Sequence, residues 1–123
     1  MLSVRGSVAP DHVALGCIGE LSSALTIFFQ GKSVLESPVT FGDGVRCIGG
    51  SLKRLGVKVA VAGSASYPGP GDPAISARSA ALGDLIRPGT FRYYQVYYHD
   101  TSASFCNPPR ATFNASNAVM VAW

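Results

Sequence analysis

The sequence predicts an all-β fold, an antiparallel β-sandwich of about seven or eight short strands, and three observations carry that expectation. Residues 91–100, Phe-Arg-Tyr-Tyr-Gln-Val-Tyr-Tyr-His-Asp, hold four of the five tyrosines with no Gly, Pro or Asn among them. Such aromatic and β-branched density suits a pleated, half-buried surface. Fourteen glycines and eight prolines punctuate short apolar runs along the chain, a spacing of turns between strands rather than of helices. Hydrophobic residues make up 47% and charged residues 14%, too apolar for disorder and too poorly charged for helices with salt-bridged outer faces. A chain of 123 residues is one domain, able to bury roughly two-thirds of its unfolded surface.

Taken in order, residues 1–10 read as an N-terminal arm ending at Pro10, and residues 11–123 as the single sandwich domain. A first strand is expected over residues 12–18, with Val13, Leu15 and Cys17 on one face. A turn follows at 19–23, then a strand over 24–30. Residues 31–38 return the chain, and 41–50, with four glycines in ten residues, predict a compact irregular loop pinned at Cys47. Two short strands, 51–55 and 57–62, flank Gly56 as a bulge or break. Residues 63–73, with three prolines and three glycines, read as a long surface connection. Residues 74–80 alternate as a strand would, while 78–85 have room for one helical turn before Gly83. Pro88-Gly89 turns the chain into the tyrosine strand. After it comes a loop over 101–110, then a last strand over 117–123 with Val119, Val121 and Trp123 on one face.

Period-2 alternation splits the tyrosine strand into two faces. The even face, Arg92, Tyr94, Val96 and Tyr98, is polar only at one end, so Tyr94, Val96 and Tyr98 are expected to enter the core. The odd face carries Tyr93, Gln95, Tyr97 and His99, an aromatic row with a hydrogen-bonding residue in its midst. Left open to solvent, that row would stack on sugar rings; covered by another strand, loop or subunit, it would be core or the interface of a homo-oligomer.

Composition also narrows the partners. The net charge is +3, but the ten Lys and Arg are scattered, and the densest group, Lys53, Arg54 and Lys58, is interleaved with apolar residues. That pattern is an outward strand face rather than a nucleic-acid stripe. No apolar run approaches the roughly 20 residues of a membrane span, and the first residues show no signal-peptide core.

The ordered motifs 22–31, 41–56 (Phe-Gly-Asp-Gly-Val-Arg-Cys-Ile-Gly-Gly-Ser-Leu-Lys-Arg-Leu-Gly), 67–78, 88–100, Phe105-Cys106 and 111–123 together resemble the uncharacterised C-terminal domain of secreted proteins from planctomycetes and myxobacteria. The resemblance covers nearly the whole chain from Asp11. It implies an exported protein with a Cys-rich segment upstream, and assigns no catalytic residue. His99 departs from it, standing where that pattern often has Arg.

Three cysteines sit at 17, 47 and 106. Cys47 and Cys106 lie in loops where a staple can replace core packing. In an oxidising compartment a Cys47–Cys106 disulfide would contribute roughly 4 kcal/mol on the chain-entropy model. Cys17, on an apolar strand, reads as a buried inert thiol. A Ser-His-Asp triad lacks support: there is no G-x-S-x-G elbow, and His99 and Asp100 point to opposite faces of a strand. No metal site is assigned, because two histidines lack spaced cysteine partners for zinc. Calcium is the one cofactor left open, since Asp43, Asp72, Asp84 and Asp100 all fall in predicted loops, although none has EF-hand spacing. The function expected is therefore a non-catalytic extracellular binding or structural module of a larger secreted protein, taking polysaccharide or a cell surface through Tyr93, Gln95, Tyr97 and His99. The alternative is a small extracellular hydrolase using His99.

Overall fold

The structure, a computed structural model that describes residues 1–100 and 112–123, has regular secondary structure that is strand apart from one short helix. Along the described chain run β1 (Leu2–Arg5), β2 (Ala14–Ile18), β3 (Leu25–Gly31), β4 (Ser33–Phe41), β5 (Gly44–Gly49), β6 (Lys53–Val59) and β7 (Ser64–Tyr67). The helix α1 (Ile75–Ala81) follows, then β8 (Phe91–His99), β9 (Phe113–Ala115) and β10 (Val119–Ala122). Every strand pair is antiparallel. One layer is the sheet β1-β2-β7. The other is β6-β3-β8, with β9 and β10 sharing the far edge of β8. The hairpin β4–β5 is a third, separate ribbon.

The two sheets bury one core between them. Tyr94 and Val96 of β8 are fully buried, and they meet Leu15 and Cys17 of β2, Phe28 of β3, Leu55 of β6 and Tyr67 of β7. Tyr98, Val119 and Trp123 pack against this cluster from its edge, and the Trp123 indole N–H donates to the Tyr94 hydroxyl at 3.1 Å. The even face of the tyrosine strand thus points inward, as its alternation predicts.

Several elements differ from the expectation, each for a physical reason. The first residues are not a free arm: β1 pairs with β2, Leu2 is buried, and Asn117 exchanges two hydrogen bonds with the Leu2 backbone, at 2.8 and 3.0 Å. Residues 33–49 form a hairpin where a return and an irregular loop were expected. Residues 53–59 are one strand, with the register against β3 slipping between Phe28 and Phe29. Its Gly56 is required because a Cβ there would come within 2.6 Å of the Tyr67 ring. Residues 75–81 are helix, not strand. Ile75 and Ser79, four apart, are the buried pair, and the turn is held from outside by Asp11 Oδ2 accepting from Ser76 N at 2.8 Å and by Arg78 Nε donating to Leu55 O at 2.9 Å. Those partners are distant in sequence, so local alternation carried no sign of them.

After α1 the chain turns at Gly83, whose positive φ of 81° suits glycine, and places Asp84 inside the molecule. Its carboxylate accepts from Arg92 twice, Nε at 2.9 Å and Nη2 at 2.7 Å, and from Gln30 Nε2 at 2.9 Å. Lys32 Nζ lies 3.3 Å away. Ser79 donates to the Asp84 carbonyl at 2.6 Å and accepts from Gln30 at 2.7 Å. Asp84, Arg92, Gln30 and Ser79 are all buried. The Arg92 guanidinium holds the Asp84 carboxyl below the usual carboxylate range, against the opposing effect of burial, and Lys32 adds to it.

Replacing Asp84 with Asn is expected to cost about 3–5 kcal/mol, because Arg92 would keep a buried charge with no counter-charge. A carboxyl depressed in the folded state contributes stability above its unfolded value of about 4 and loses that contribution as pH falls through the folded value. Urea unfolding across that acid range should therefore show the parent protein losing stability more steeply than Asp84→Asn. Parallel acid profiles would remove the Asp84 carboxylate from the acid response.

Candidate functional site

The outer face of the larger sheet, turned away from the core, is built by the residues that alternate with the buried ones. They are Leu25, Ile27 and Phe29 on β3, Val57 and Val59 on β6, and Gln95, Tyr97 and His99 on β8, aligned by the register Ile27↔Val57 and Ile27↔Tyr97. The β4–β5 hairpin folds over part of this face. Its tip comes against β9, and the glycines of the Phe-Gly-Asp-Gly motif permit the approach. A Cβ at Gly42 would stand 2.5 Å from the Phe113 ring, and one at Gly44 would stand 2.5 Å from Asn114 Oδ1. Asp43 N donates to Phe113 O at 2.9 Å and fixes the contact.

The hairpin covers two of the four residues expected to bind ligand. Gln95 is wholly buried: its Oε1 accepts from Cys47 N at 3.0 Å, and its Nε2 donates to Val45 O at 2.7 Å and Ser116 O at 2.8 Å. Tyr97 is 4% exposed, with Phe29 at 4.7 Å between ring centroids and Phe41 stacked on it at 4.4 Å. The expectation of an open aromatic row is thus corrected. Tyr93 is half-buried, His99 is exposed, and Gln95 and Tyr97 between them are under the hairpin. Period-2 alternation identifies the face a residue occupies, not whether a ribbon 50 residues upstream covers it.

Where the hairpin stops, the rest of the face opens as a groove of about 330 Å³. Leu25, Ile27 and Phe29 form its floor, Phe41 and Phe113 one wall, and Tyr97 and His99 lie along β8. Phe41 and Phe113 meet edge to face at 5.0 Å, so the wall is a packed aromatic pair. Of the expected site residues, Tyr97 and His99 line the groove, whereas Tyr93 and Gln95 do not. Leu25, Ile27, Phe29, Phe41 and Phe113 were not singled out by sequence. They come from three segments, β3, β4 and β9, and only the Phe41-Gly-Asp-Gly turn carried a local sign of close packing.

Burial pushes the Tyr97 hydroxyl up to about 12, with Arg46 pulling partly the other way. That hydroxyl, Arg46 Nε and Asp43 Oδ1 are buried without a hydrogen-bond partner among the described residues. Cys47 is a half-buried free thiol with Sγ 3.8 Å from Val45 O, and its expected partner Cys106 lies outside the described residues. Cys17 is fully buried, and burial, reinforced by Glu20, pushes its thiol up to about 12. Of the carboxylates considered for calcium, Asp72 pairs with Lys58 and Asp84 with Arg92 and Lys32. Among the described residues no group of three or more His, Cys, Asp or Glu could hold a metal ion, and no helix is long and apolar enough to cross a membrane.

Comparison of the chain with protein-family models, with curated proteins and with solved structures finds no match.

Gln95→Ala should destabilise the protein by about 2–3 kcal/mol, since it strands the Cys47 N–H and two carbonyls that Gln95 now satisfies. Tyr97→Phe should change stability by less than about 0.5 kcal/mol or raise it, because the hydroxyl it deletes has no partner among the described residues. Chemical unfolding of both variants checks the pair; a larger loss for Tyr97→Phe than for Gln95→Ala would mean that the hydroxyl, not the amide, holds the hairpin.

Proposed function

We propose that this chain is a non-catalytic binding module of an extracellular protein, and that its ligand seats in the aromatic groove beside the β4–β5 hairpin. The observation that carries this reading is the groove itself, an open concavity of about 330 Å³ with three phenylalanine rings and Tyr97 in its lining. That size lies at the lower end of small-molecule sites. Its chemistry favours one apolar ring or a short hydrocarbon segment over a free sugar. A glycan needs several hydrogen-bonding groups around each ring, and Gln95, the residue that would have supplied them, is fully engaged within the chain. A polysaccharide or cell-surface partner would then be held by an apolar substituent rather than along an open tyrosine row. Hydrolysis through His99 gains no support: among the described residues no printed side-chain hydrogen bond holds its ring, and β8 ends at His99 itself. Placement outside the cell rests on the motif resemblance, as does the oxidising compartment that a Cys47–Cys106 disulfide requires.

Anilinonaphthalene sulfonate is a suitable first probe. The folded protein should bind it with a dissociation constant in the micromolar to millimolar range, about −4 to −8 kcal/mol, and Ile27→Trp, which fills the groove floor, should abolish the fluorescence gain. Equal gain in both proteins, with cooperative melting retained, would place the probe elsewhere and end this reading. Peptide mapping without reductant addresses the compartment. Protein folded under oxidising conditions should yield Cys47 linked to Cys106 and a free Cys17, and recovery of three free thiols would exclude the pairing.

A further inference from the structure

The β4–β5 hairpin meets the larger sheet through contacts of two opposed kinds. Gln95 bonds its backbone at Cys47 N and Val45 O, Asp43 N donates to Phe113 O at 2.9 Å, and Phe41 stacks on Tyr97 at 4.4 Å. Against these stand polar groups that docking leaves stranded. Among the described residues six buried side-chain polar atoms lack a hydrogen-bond partner. Three of them, Asp43 Oδ1, Arg46 Nε and the Tyr97 hydroxyl, belong to this hairpin or to the ring beneath it. Each gives up its bond to water without a replacement. β4 buries little apolar surface to offset that loss, since only Leu35 and Phe41 among its residues are even half-buried. Among the described residues the two strands pair only with each other. Both connections to the sandwich carry glycine: Gly31 ends β3, and Gly49-Gly50 leave β5 with Gly50 at a φ of 71°.

We propose that this hairpin is a hinged cover: it swings as one body about its glycine base, and Phe41 occupies the face of Tyr97 on which a ligand ring would stack. The competition between Phe41 and a ligand rests on the groove being a binding site, whereas the hinged motion does not. Lifting the tip separates Phe41 from Tyr97 and Asp43 from Phe113. It also returns the three stranded atoms to water, so lost contacts are partly offset by recovered solvation. The base persists, because Lys32 N bonds Gly49 O at 2.8 Å and Gly50 O at 3.2 Å, and Ile48 beside them is fully buried. Few buried apolar contacts and a polar attachment are the marks of a segment that opens well below the energy of global unfolding. In the open form the groove floor continues across the sheet, since Ile27 and Phe29 stand opposite Tyr97 and Gln95. Gln95 is the latch of the closed form.

Hydrogen exchange of the full chain, kept reduced and without ligand, tests the hinge. The Asp43 and Cys47 amides bond across the interface rather than within the ribbon. They should open with one shared constant, protected at least about a hundredfold less than the β3–β8 amides. Their exchange should respond little to urea, because the swing exposes little surface. Gln95→Ala removes the latch at Cys47 and should speed exchange at Asp43, which Gln95 does not touch, by about tenfold or more. Saturating anilinonaphthalene sulfonate should speed the Asp43 amide of the parent protein by about tenfold, as the probe takes the Tyr97 face from Phe41. Asp43 and Cys47 amides that exchange only with those of β3–β8 overturn the hinge. So do unequal opening constants, or an Asp43 amide that Gln95→Ala leaves unchanged, either of which makes the openings separate local frays. Bound probe with slower exchange at Asp43 overturns the competition. A probe that does not bind ends the groove reading and the competition with it, while the exchange of the free protein still decides the hinge.

Discussion

The fold depends on a buried charge being met. Arg92 opens the inward face of β8 and is only 7% exposed, so its guanidinium enters the protein together with Tyr94 and Val96. A cation in that position is tolerable only beside an anion in good geometry. Asp84 supplies it, delivered from the opposite direction by a helix whose own first turn is held by Asp11. Gln30 then bonds both Asp84 and Ser79, so the β3 and β8 strands share one carboxylate, and the helix joins them through Ser79, which also donates to the Asp84 backbone carbonyl. Replacing the whole group by apolar residues could be as stable. The polar version instead ties three segments to one arrangement, since each partner alone would be left with an unmatched buried group.

That clamp fixes the inner side of the larger sheet, and a second polar residue fixes the outer side. Gln95 does for the β4–β5 hairpin what Asp84 does for the helix, presenting one acceptor and two donor hydrogens to backbone groups of β5 and of the segment joining β9 to β10. The hairpin is fastened near its base as well, where Lys32 N donates to Gly49 O at 2.8 Å and a Cβ on Gly31 would overlap that same carbonyl. Both attachments lie toward one end of the sheet face. The ribbon therefore covers Gln95 and Tyr97 and leaves Leu25 and Ile27 open. The groove is the remainder of an incomplete third layer.

The legible part of the molecule was the part whose signals are local. Alternation in β2 and β8 identified Val13, Leu15, Cys17, Tyr94 and Val96 as buried, because a strand between two sheets has only one way to hide them. The helix was misread as strand because Ile75, Ala77 and Ser79 alternate as well as they repeat every fourth residue. What selects the helix are bonds from Asp11 and to Leu55, distant in sequence. The hairpin was read as loop because its β4 strand is largely exposed on both faces and so lacks the periodicity that burial imposes. The candidate site follows the same division. Tyr97 and His99 were identified from one strand, but their setting is made by Phe41 and Phe113, which meet them only after the chain has closed.

A chain with so few charges that buries Asp84, Arg92 and Glu20 has little ionic chemistry left to offer a partner. Its remaining acids and bases are scattered, and Lys58 and Asp72 hold one another. Exposed Leu25, Val57 and Val59 instead make aliphatic surface continuous with the aromatic groove. Leu25 belongs to both, lining the groove and standing opposite Val59 in the register of β3 against β6. Recognition by such a molecule rests on shape and on apolar area removed from water, and its dependence on pH comes through the stability of the Asp84 clamp rather than through the contacts themselves.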